Sequence, residues 1–178
     1  MLGSALAPDF VTEGRSLIFS GKPGRGKTHL AIAIAYRAIQ NGFDAFFTTA
    51  ATLIDDLSAA FRAGQLTDAL QAYTHPAVLV VDEVGYLTYG TDAANMLFHV
   101  VNERHRRHRS MIFTTNKALT AWGYAPTDAG VHSGEAPFAG VVRSSSIGSI
   151  QLGPAITNTS ASYGDVRSEK DRCVLDPR

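Results

Sequence analysis

Eight consecutive residues near the start of this 178-residue chain could bind phosphate: Gly21-Lys22-Pro23-Gly24-Arg25-Gly26-Lys27-Thr28. They match the pattern G-x-x-x-x-G-K-[ST] at every fixed position. Glycines let backbone N–H groups turn towards one point, and a helix that begins there adds its free N–H groups to the same anion cradle. Lys27 brings a positive charge to the outer phosphates, and the Thr28 hydroxyl is a suitable ligand for Mg²⁺. The segment therefore predicts a loop that binds a nucleoside triphosphate with Mg²⁺.

The sequence around this loop favours that interpretation over a glycine-rich turn that caps a helix and binds nothing. Ser16–Ser20 is a short apolar run typical of a buried strand. Thr28–Gln40 is rich in alanine and apolar on nearly all sides, which predicts a buried helix, and Asn41-Gly42 is a typical helix end. A strand before the loop and a helix after it are the structural context that a phosphate-binding loop requires.

Two carboxylates follow a second apolar run. Val78–Val81 predicts a buried strand, and Asp82 and Glu83 come directly after it, where ligands bind in open α/β sheets. We expect Asp82 to hold Mg²⁺, and Glu83 to polarise the water that attacks the terminal phosphate. A polar strand end that caps the next turn is the alternative. The phosphate-binding loop in the same chain favours the catalytic interpretation.

Asn116 ends a further apolar run, Ile112–Thr115. If this strand lies beside the one that ends at Asp82, Asn116 reaches the same edge of the sheet. An amide there can orient the attacking water or contact the terminal phosphate. The alternative is an asparagine that forms an ordinary turn after a strand. We favour the first role because the other two motifs are present.

Apolar runs alternate with helical patterns over residues 15–116, which predicts a parallel sheet covered by helices on both faces. The expected class is a three-layer α/β/α P-loop domain. The further strands are Phe43–Thr48, Ala77–Val81 and Ser110–Thr115, and the further helices are Ala50–Ala63, with Leu53, Ile54, Leu57 and Phe61 on one face, and Thr91–Arg107.

Composition excludes several other classes of protein. The formal net charge is zero, which argues against a surface that is basic everywhere and grips nucleic acid throughout. Cys173 is the only cysteine, so the chain has no internal disulfide, and a reducing, cytoplasmic setting is expected. No apolar run reaches the roughly 18 residues needed to span a bilayer, so we expect no membrane partner.

The densest basic segment ends the last predicted helix and contains Arg104, Arg106, Arg107 and Arg109. These side chains fit two roles equally well. They are candidates for contacts with the phosphate backbone of DNA. They are also what the negative end of a helix dipole attracts.

Together these motifs resemble the IstB-like ATP-binding proteins, which are helpers of insertion-sequence transposases, relatives of DnaC-type helicase loaders and members of the AAA+ ATPases. The resemblance covers about residues 10–123. It rests on four stretches: GKPGRGKTHLAIAIAYRA, FTTAATLIDDL, VLVVDEVGYL and MIFTTNKALTAWG.

The resemblance implies an AAA+ core that binds ATP with Mg²⁺. It implies that Lys27 and Thr28 act in the phosphate-binding loop, that Asp82 binds the metal, that Glu83 is the catalytic base and that Asn116 is the first sensor. It also implies self-association, assembly on DNA and delivery of a transposase. Two alternatives stay open: a helicase loader in DNA replication, and a non-enzymatic remnant that binds ATP without turnover.

The chain departs from the family pattern at both ends. We divide it into an N-terminal remnant (1–14), an ATPase core (15–123) and an irregular tail (124–178), for which disorder is one interpretation. The family's fifth strand, arginine finger and second sensor are not recognisable in that tail. We expect the C-terminal part of the fold to be incomplete or irregular. Loss of an arginine finger would impair hydrolysis more than binding.

The abrupt change after Gly123 suggests the hypothesis that the tail is frameshifted or otherwise altered; a frameshift can be tested directly. Translation of the coding DNA in the other two frames should then produce the missing family pattern, a helix with an Asp-Arg pair followed by a strand. The absence of such a pattern from every frame would contradict the hypothesis.

Overall fold

The computed structural model describes residues 7–84, 91–117 and 147–151. In chain order their elements are α1 (Asp9–Thr12), β1 (Ser16–Ser20), α2 (Lys27–Gln40), β2 (Ala45–Thr49), α3 (Ala50–Arg62), α4 (Leu66–Thr74), β3 (Val78–Asp82), α5 (Thr91–Arg106), β4 (Ser110–Thr115) and β5 (Ile147–Gln151). The predicted alternation of strands and helices is confirmed, with α4 as an additional helix.

The strands form one parallel sheet in the order β2-β3-β4-β1-β5. Strand β4 lies between β1 and β3, since Ser20 pairs with Thr115 and Phe113 pairs with Val81. The carboxyl ends of β1, β4 and β3 therefore lie side by side at one edge of the sheet. The segments that leave these strands are brought together there, as is usual in open α/β sheets.

Apolar side chains of the strands alternate between the two faces of the sheet, as the pleat requires. One face packs against α1 and α2 and carries Leu17, Phe19, Val78, Val80 and Ile112. The other face packs against α3, α4 and α5 and carries Ile18, Leu79, Val81, Met111 and Phe113. The three-layer α/β/α arrangement predicted from the sequence is confirmed.

Helix α2 buries one face rather than all of its surface, contrary to the prediction. The inward face carries Ala31, Ile34, Ala35 and Ala38. Ile32 and Tyr36, one turn apart, are 47% and 57% exposed. A single helix lying on a flat sheet covers the sheet with one side only, so apolar residues on its other side stay outside.

Phe61 of α3 is 62% exposed, whereas Leu53, Ile54 and Leu57 lie inward as predicted. With about 3.6 residues per turn, Phe61 lies between Leu57 and Ile54 around the helix axis, so the angle alone predicts an inward side chain. Phe61 is instead exposed in the last turn of α3, which ends at Arg62.

Helix α4 was not predicted because its sequence lacks a capping residue at the N-terminus, and tertiary contacts near the C-terminus stabilise it instead. Its N-cap, Gln65, makes no side-chain cap. Tyr73 near its C-terminus is buried, donates its hydroxyl hydrogen to Asp56 Oδ2 at 2.7 Å, and packs edge-on against Phe46.

A fifth strand is present, although none was recognisable in this part of the sequence. β5 pairs in parallel with β1, from Ser16 opposite Ile147 to Ser20 opposite Gln151. The sequence Ile-Gly-Ser-Ile-Gln is only weakly strand-like, but an edge strand needs a hydrogen-bonding neighbour on one side alone. Of the predicted tail, the structure describes these five residues.

The segment before β1 packs against the domain core. Phe10 and Val11 of α1 are buried with α2 and the sheet. Ser110 donates its hydroxyl hydrogen to the Phe10 carbonyl oxygen at 2.8 Å, which joins α1 to the start of β4. The domain boundaries after residues 14 and 123 stay predictions.

Arg104 lies inside the protein, so the prediction that it contacts DNA is wrong. Its side chain is fully buried, and its guanidinium donates to the carbonyl oxygens of Tyr73, Pro76, Ala77 and Ser110 at 2.6–3.3 Å. Burial, together with the nearby charge of Arg109, lowers the pKa of Arg104 to about 9, so the group stays protonated at pH 7. Arg104 thus ties the end of α4 to the starts of β3 and β4.

We expect Arg104→Met to lower the free energy of unfolding by about 3 kcal/mol or more, because buried carbonyl groups lose their charged donor. The matched control is Arg106→Met, which removes an ion pair between Arg106, 70% exposed, and Glu103. An exposed pair contributes about 0.5 kcal/mol. Urea unfolding followed by circular dichroism measures both variants, and equal losses would contradict the structural role of Arg104.

Candidate nucleotide-binding site

The loop between β1 and α2 has the backbone that its glycines permit. Gly24 and Gly26 have φ values of 74° and 76°, in the left-handed region that favours glycine. Gly26 is the N-cap of α2, its carbonyl accepts the first intrahelical bond from Leu30 N, and no side chain caps this helix end within the described residues. The N–H groups of the first turn are therefore available to an anion. The variable positions Lys22, Pro23 and Arg25 complete the loop.

Lys27 folds back across the loop. Its Nζ donates to the carbonyl oxygens of Gly21 at 2.8 Å and Lys22 at 2.9 Å. These bonds hold the ammonium group over the start of the loop. A phosphate group could replace those carbonyl oxygens as the acceptor, since an anion makes a stronger hydrogen bond with an ammonium group.

Thr28 and Asp82 are joined directly. The Thr28 hydroxyl donates to Asp82, with Oγ1 lying 2.9 Å from Oδ1 and 3.2 Å from Oδ2. Asp82 is the last residue of β3 and is 7% exposed. This hydrogen bond brings the phosphate-binding loop and the acidic pair together at one edge of the sheet.

Glu83 and Asn116 lie at the same edge. Glu83 leaves β3 with φ 60° and an exposed side chain. Asn116 directly follows β4, whose last residue Thr115 pairs with Ser20 just before the loop. The Asn116 Oδ1 atom is buried and accepts no hydrogen bond within the described residues. It is therefore an acceptor available to a water molecule.

Thr114 also belongs to this edge, and sequence reasoning missed it. Its hydroxyl donates to Asp82 Oδ1 and accepts a hydrogen bond from the Glu83 N–H at 3.0 Å. The signal lay in the sequence, as a polar residue inside the apolar run Met111–Thr115. Whether this threonine contacts Asp82 and Glu83 depends on the register of β4 against β3, and that register cannot be predicted from the local sequence.

Oxygen donors at this edge suit Mg²⁺. The cation prefers carboxylate and hydroxyl oxygens, and it is usually held by one or two protein groups together with substrate phosphates. Thr28 and Asp82 are already adjacent, and the phosphate-binding loop lies beside them. Within the described residues there is no group of three or more His, Cys, Asp and Glu side chains that could hold a metal without a phosphate ligand.

The remaining basic candidates lie near the opposite edge of the sheet, just before β4 begins. Glu103 binds Arg106 at 2.9 Å and Arg107 at 2.7 Å, and the hydrogen bond from Arg107 lowers the pKa of Glu103. Arg109 is half-buried. The structure thus brings Lys27, Thr28, Asp82, Glu83 and Asn116 to one edge and leaves the arginines apart from them.

A parallel sheet in this strand order, with a phosphate-binding loop after β1 and an acidic pair after β3, defines a P-loop nucleotide-binding domain of the AAA+ type. Among such proteins, the model of the IstB-like ATP binding protein family matches residues 3–134. The chain belongs to that family.

Two relatives have names that describe them as ATP-binding proteins of insertion sequences. The protein of IS5376 from Geobacillus stearothermophilus is 39% identical over 118 residues, which are 66% of this chain and 47% of that protein. The protein of IS21 from Pseudomonas aeruginosa is 37% identical over 114 residues, which are 64% of this chain and 43% of that protein. The chain spans about half the length of these relatives.

Solved structures of replication proteins have a similar fold. The DnaC helicase loader superposes with a TM-score of 0.59 at 28% identity, over 66% of this chain and 67% of DnaC. Domain III of the Thermotoga maritima initiator DnaA superposes with a TM-score of 0.67 at 21% identity, over 86% of this chain and 61% of the other. At 21% identity, the similarity to DnaA concerns the fold alone.

In the part of the chain that the structure describes, no helix combines the length and the apolar character needed to cross a bilayer.

We expect Gly26→Ala and Gly64→Ala to lower the free energy of unfolding by similar amounts, about 1 kcal/mol each. Both glycines have left-handed backbones, and an added Cβ would meet no atom within 4 Å at either position. Gly14→Ala should cost clearly more, because its Cβ would lie 2.4 Å from the His108 carbonyl oxygen. Urea unfolding ranks the three variants. A cost at Gly26 equal to that at Gly14 would contradict the open loop seen here.

Proposed function

We propose that this chain binds ATP with Mg²⁺, hydrolyses it, and acts with a transposase as a helper of DNA transposition. The observation that carries the nucleotide part is the hydrogen bond from Thr28 to Asp82, 2.9 Å between Oγ1 and Oδ1. It joins a hydroxyl of the phosphate-binding loop to a carboxylate of a different strand. Oxygen donors for a divalent cation thus lie next to a phosphate cradle.

Binding would begin with an exchange of partners at Lys27. Its ammonium group would leave the carbonyl oxygens of Gly21 and Lys22 for phosphate oxygens, while the first amides of α2 take up the rest of the negative charge. Mg²⁺, when bound at Thr28 and Asp82, supplies charge that neutralises the phosphate oxygens. The cost of reorganisation is small, because these groups already lie around one point.

Hydrolysis would need a base and a group that orients water. Glu83 carries an exposed carboxylate beyond the strand end, suited to accept a proton from water. The buried Asn116 Oδ1 can accept the other O–H of the same water. Glu83 directly follows Asp82, and Asn116 directly follows Thr115, whose carbonyl oxygen accepts a hydrogen bond from the Gly21 N–H at the start of the loop. This placement supports their assignment to one reaction centre.

The role in transposition is supported by the family and by the relatives named for insertion sequences. A transposase is the corresponding partner, and the cytoplasm, where ATP and DNA meet, is the expected location. Self-association through the ATPase core belongs to the same proposal.

Contact with DNA is proposed for Arg106, Arg107 and Arg109. Arg106 and Arg107 are exposed, but both are paired with Glu103, so their charge is partly neutralised on the helix itself. The helix-end role stays the alternative for these two residues. Any contact would lie away from the nucleotide edge.

A helicase loader is the second candidate function. The observation that favours it is the likeness to the DnaC helicase loader, which extends over 67% of that protein at 28% identity. Affinity capture with a transposase and with a replicative helicase as bait distinguishes the two. Retention by the helicase alone would replace the transposition proposal.

We expect the chain to bind ATP with Mg²⁺ and to turn it over. Lys27→Ala should weaken ATP binding about tenfold or more, because it removes a charged donor to phosphate. Glu83→Gln should leave binding within about threefold but reduce turnover about 100-fold, because the base is lost. Calorimetry measures binding, and phosphate release measures turnover.

The matched controls are Arg37→Ala, on the far part of α2, and Glu13→Gln, which is exposed before β1. Both should bind and hydrolyse ATP like the unaltered chain. Binding without turnover in the unaltered chain would favour the non-enzymatic remnant. Failure of the folded chain to bind ATP would overturn the proposal.

A further inference from the structure

Thr114 is the one residue whose described hydrogen bonds reach both carboxylate-bearing residues of the site. It lies in the central strand β4 and is 1% exposed. Its hydroxyl donates its hydrogen to Asp82 and accepts the Glu83 N–H, so both functions of that hydroxyl are used. A buried strand residue with a branched Cβ has little rotational freedom, which makes it a rigid reference point.

At Asp82, the hydroxyl of Thr114 fixes the direction of the carboxylate. Oδ1 accepts hydrogen bonds from both Thr28 and Thr114, whereas Oδ2 lies 3.2 Å from Thr28 and has no second described donor. One donor lies at the start of helix α2 and the other in strand β4, and together they restrict rotation of the carboxylate. Oδ2 thereby keeps capacity for a further partner, such as a divalent cation.

At Glu83, Thr114 holds a backbone conformation that side chains rarely adopt. Glu83 has φ 60°, and such a conformation persists only where the surroundings impose it. The Glu83 N–H binds the Thr114 hydroxyl at 3.0 Å, and the next amide, Val84 N–H, binds the Thr114 carbonyl oxygen at 2.9 Å. Two successive amides are thus bound to one residue, and the turn directs the Glu83 side chain outward.

A comparison with Thr115 shows that burial alone does not place the hydroxyl of a β4 threonine against the acidic pair. Thr115 is equally buried, but its hydroxyl accepts a hydrogen bond from Lys117 N–H, and no hydrogen bond among the described residues joins that hydroxyl to Asp82 or Glu83. Successive residues of a strand point to opposite faces, so β4 directs only one of these two neighbours towards Asp82.

We propose that Thr114 is a positioning residue that orients Asp82 and Glu83, and that the response of ATP binding to Mg²⁺ depends on its hydroxyl. This inference rests on the proposed function. Mutation of an outer group that orients a metal-binding side chain typically lowers metal affinity or activity by about 10- to 100-fold.

The test compares ATP affinity with excess Mg²⁺ and with EDTA by calorimetry, on the full chain and on Thr114→Val, Thr114→Ala and Thr114→Ser. Valine and alanine remove the hydroxyl, and serine keeps it. We expect valine and alanine to leave the affinity in EDTA within about threefold and to reduce the gain from Mg²⁺ about tenfold. Serine should restore most of that gain.

The matched control is Thr74→Val, which removes a buried hydroxyl that donates to the Leu70 carbonyl oxygen in α4, away from the site. It should lose stability but keep the full Mg²⁺ response. An equal loss of response in Thr74→Val, or in Thr114→Ser, would overturn the inference, because general loosening or the lost methyl group would then be the cause.

The outcomes also separate this inference from the proposed function. A full chain that is folded and binds no ATP overturns both. A full chain whose ATP binding responds to Mg²⁺, with the same response in Thr114→Val and Thr114→Ala, overturns the role of Thr114 alone.

Discussion

The hydrogen bond between Thr28 and Asp82 is the interaction on which the candidate site depends. Its two residues are 54 positions apart in sequence. One begins the helix after β1, and the other ends β3, with β4 between these strands. Neighbouring strands lie about 4.8 Å apart, so the loop and the carboxylate must bridge two strand spacings. They meet because all three strands are parallel and end at the same edge, and the apolar core on both faces keeps them in that register.

The two edges of the sheet use polar groups differently. At the amino edge, the buried guanidinium of Arg104 satisfies the carbonyl groups that surround it, which serves stability. At the carboxyl edge, Glu83 has a strained backbone and the buried Asn116 Oδ1 lacks a hydrogen-bond partner among the described residues. Arg104 Nε at the amino edge is also buried without a described partner, so the feature that distinguishes the carboxyl edge is the backbone of Glu83; strain of that kind concentrates at functional sites. The position of Glu83 beside Asp82 is what the proposed chemistry would require.

Similar cores occur in proteins with different names, including the DnaC helicase loader and the initiator DnaA. A shared fold does not imply a shared task, so the task has to be inferred from the site and from the surfaces that meet partners. For this chain the nucleotide site is better defined than any surface that would meet a partner. The chain spans about half the length of its relatives from insertion sequences.

Features that depend on consecutive residues could be predicted without the structure. These are the phosphate-binding loop 21–28, the acidic pair 82–83 after an apolar run, and the alternation that predicts a parallel sheet. The packed fold was needed to show the burial of Arg104, the outward faces of α2 and α3, the pairing of β5 with β1, and the contacts of Thr114. This division arises because loop geometry and strand propensity are local properties of the chain. The partner of a polar side chain, and the side of a helix that is covered, depend on which distant segments pack beside it.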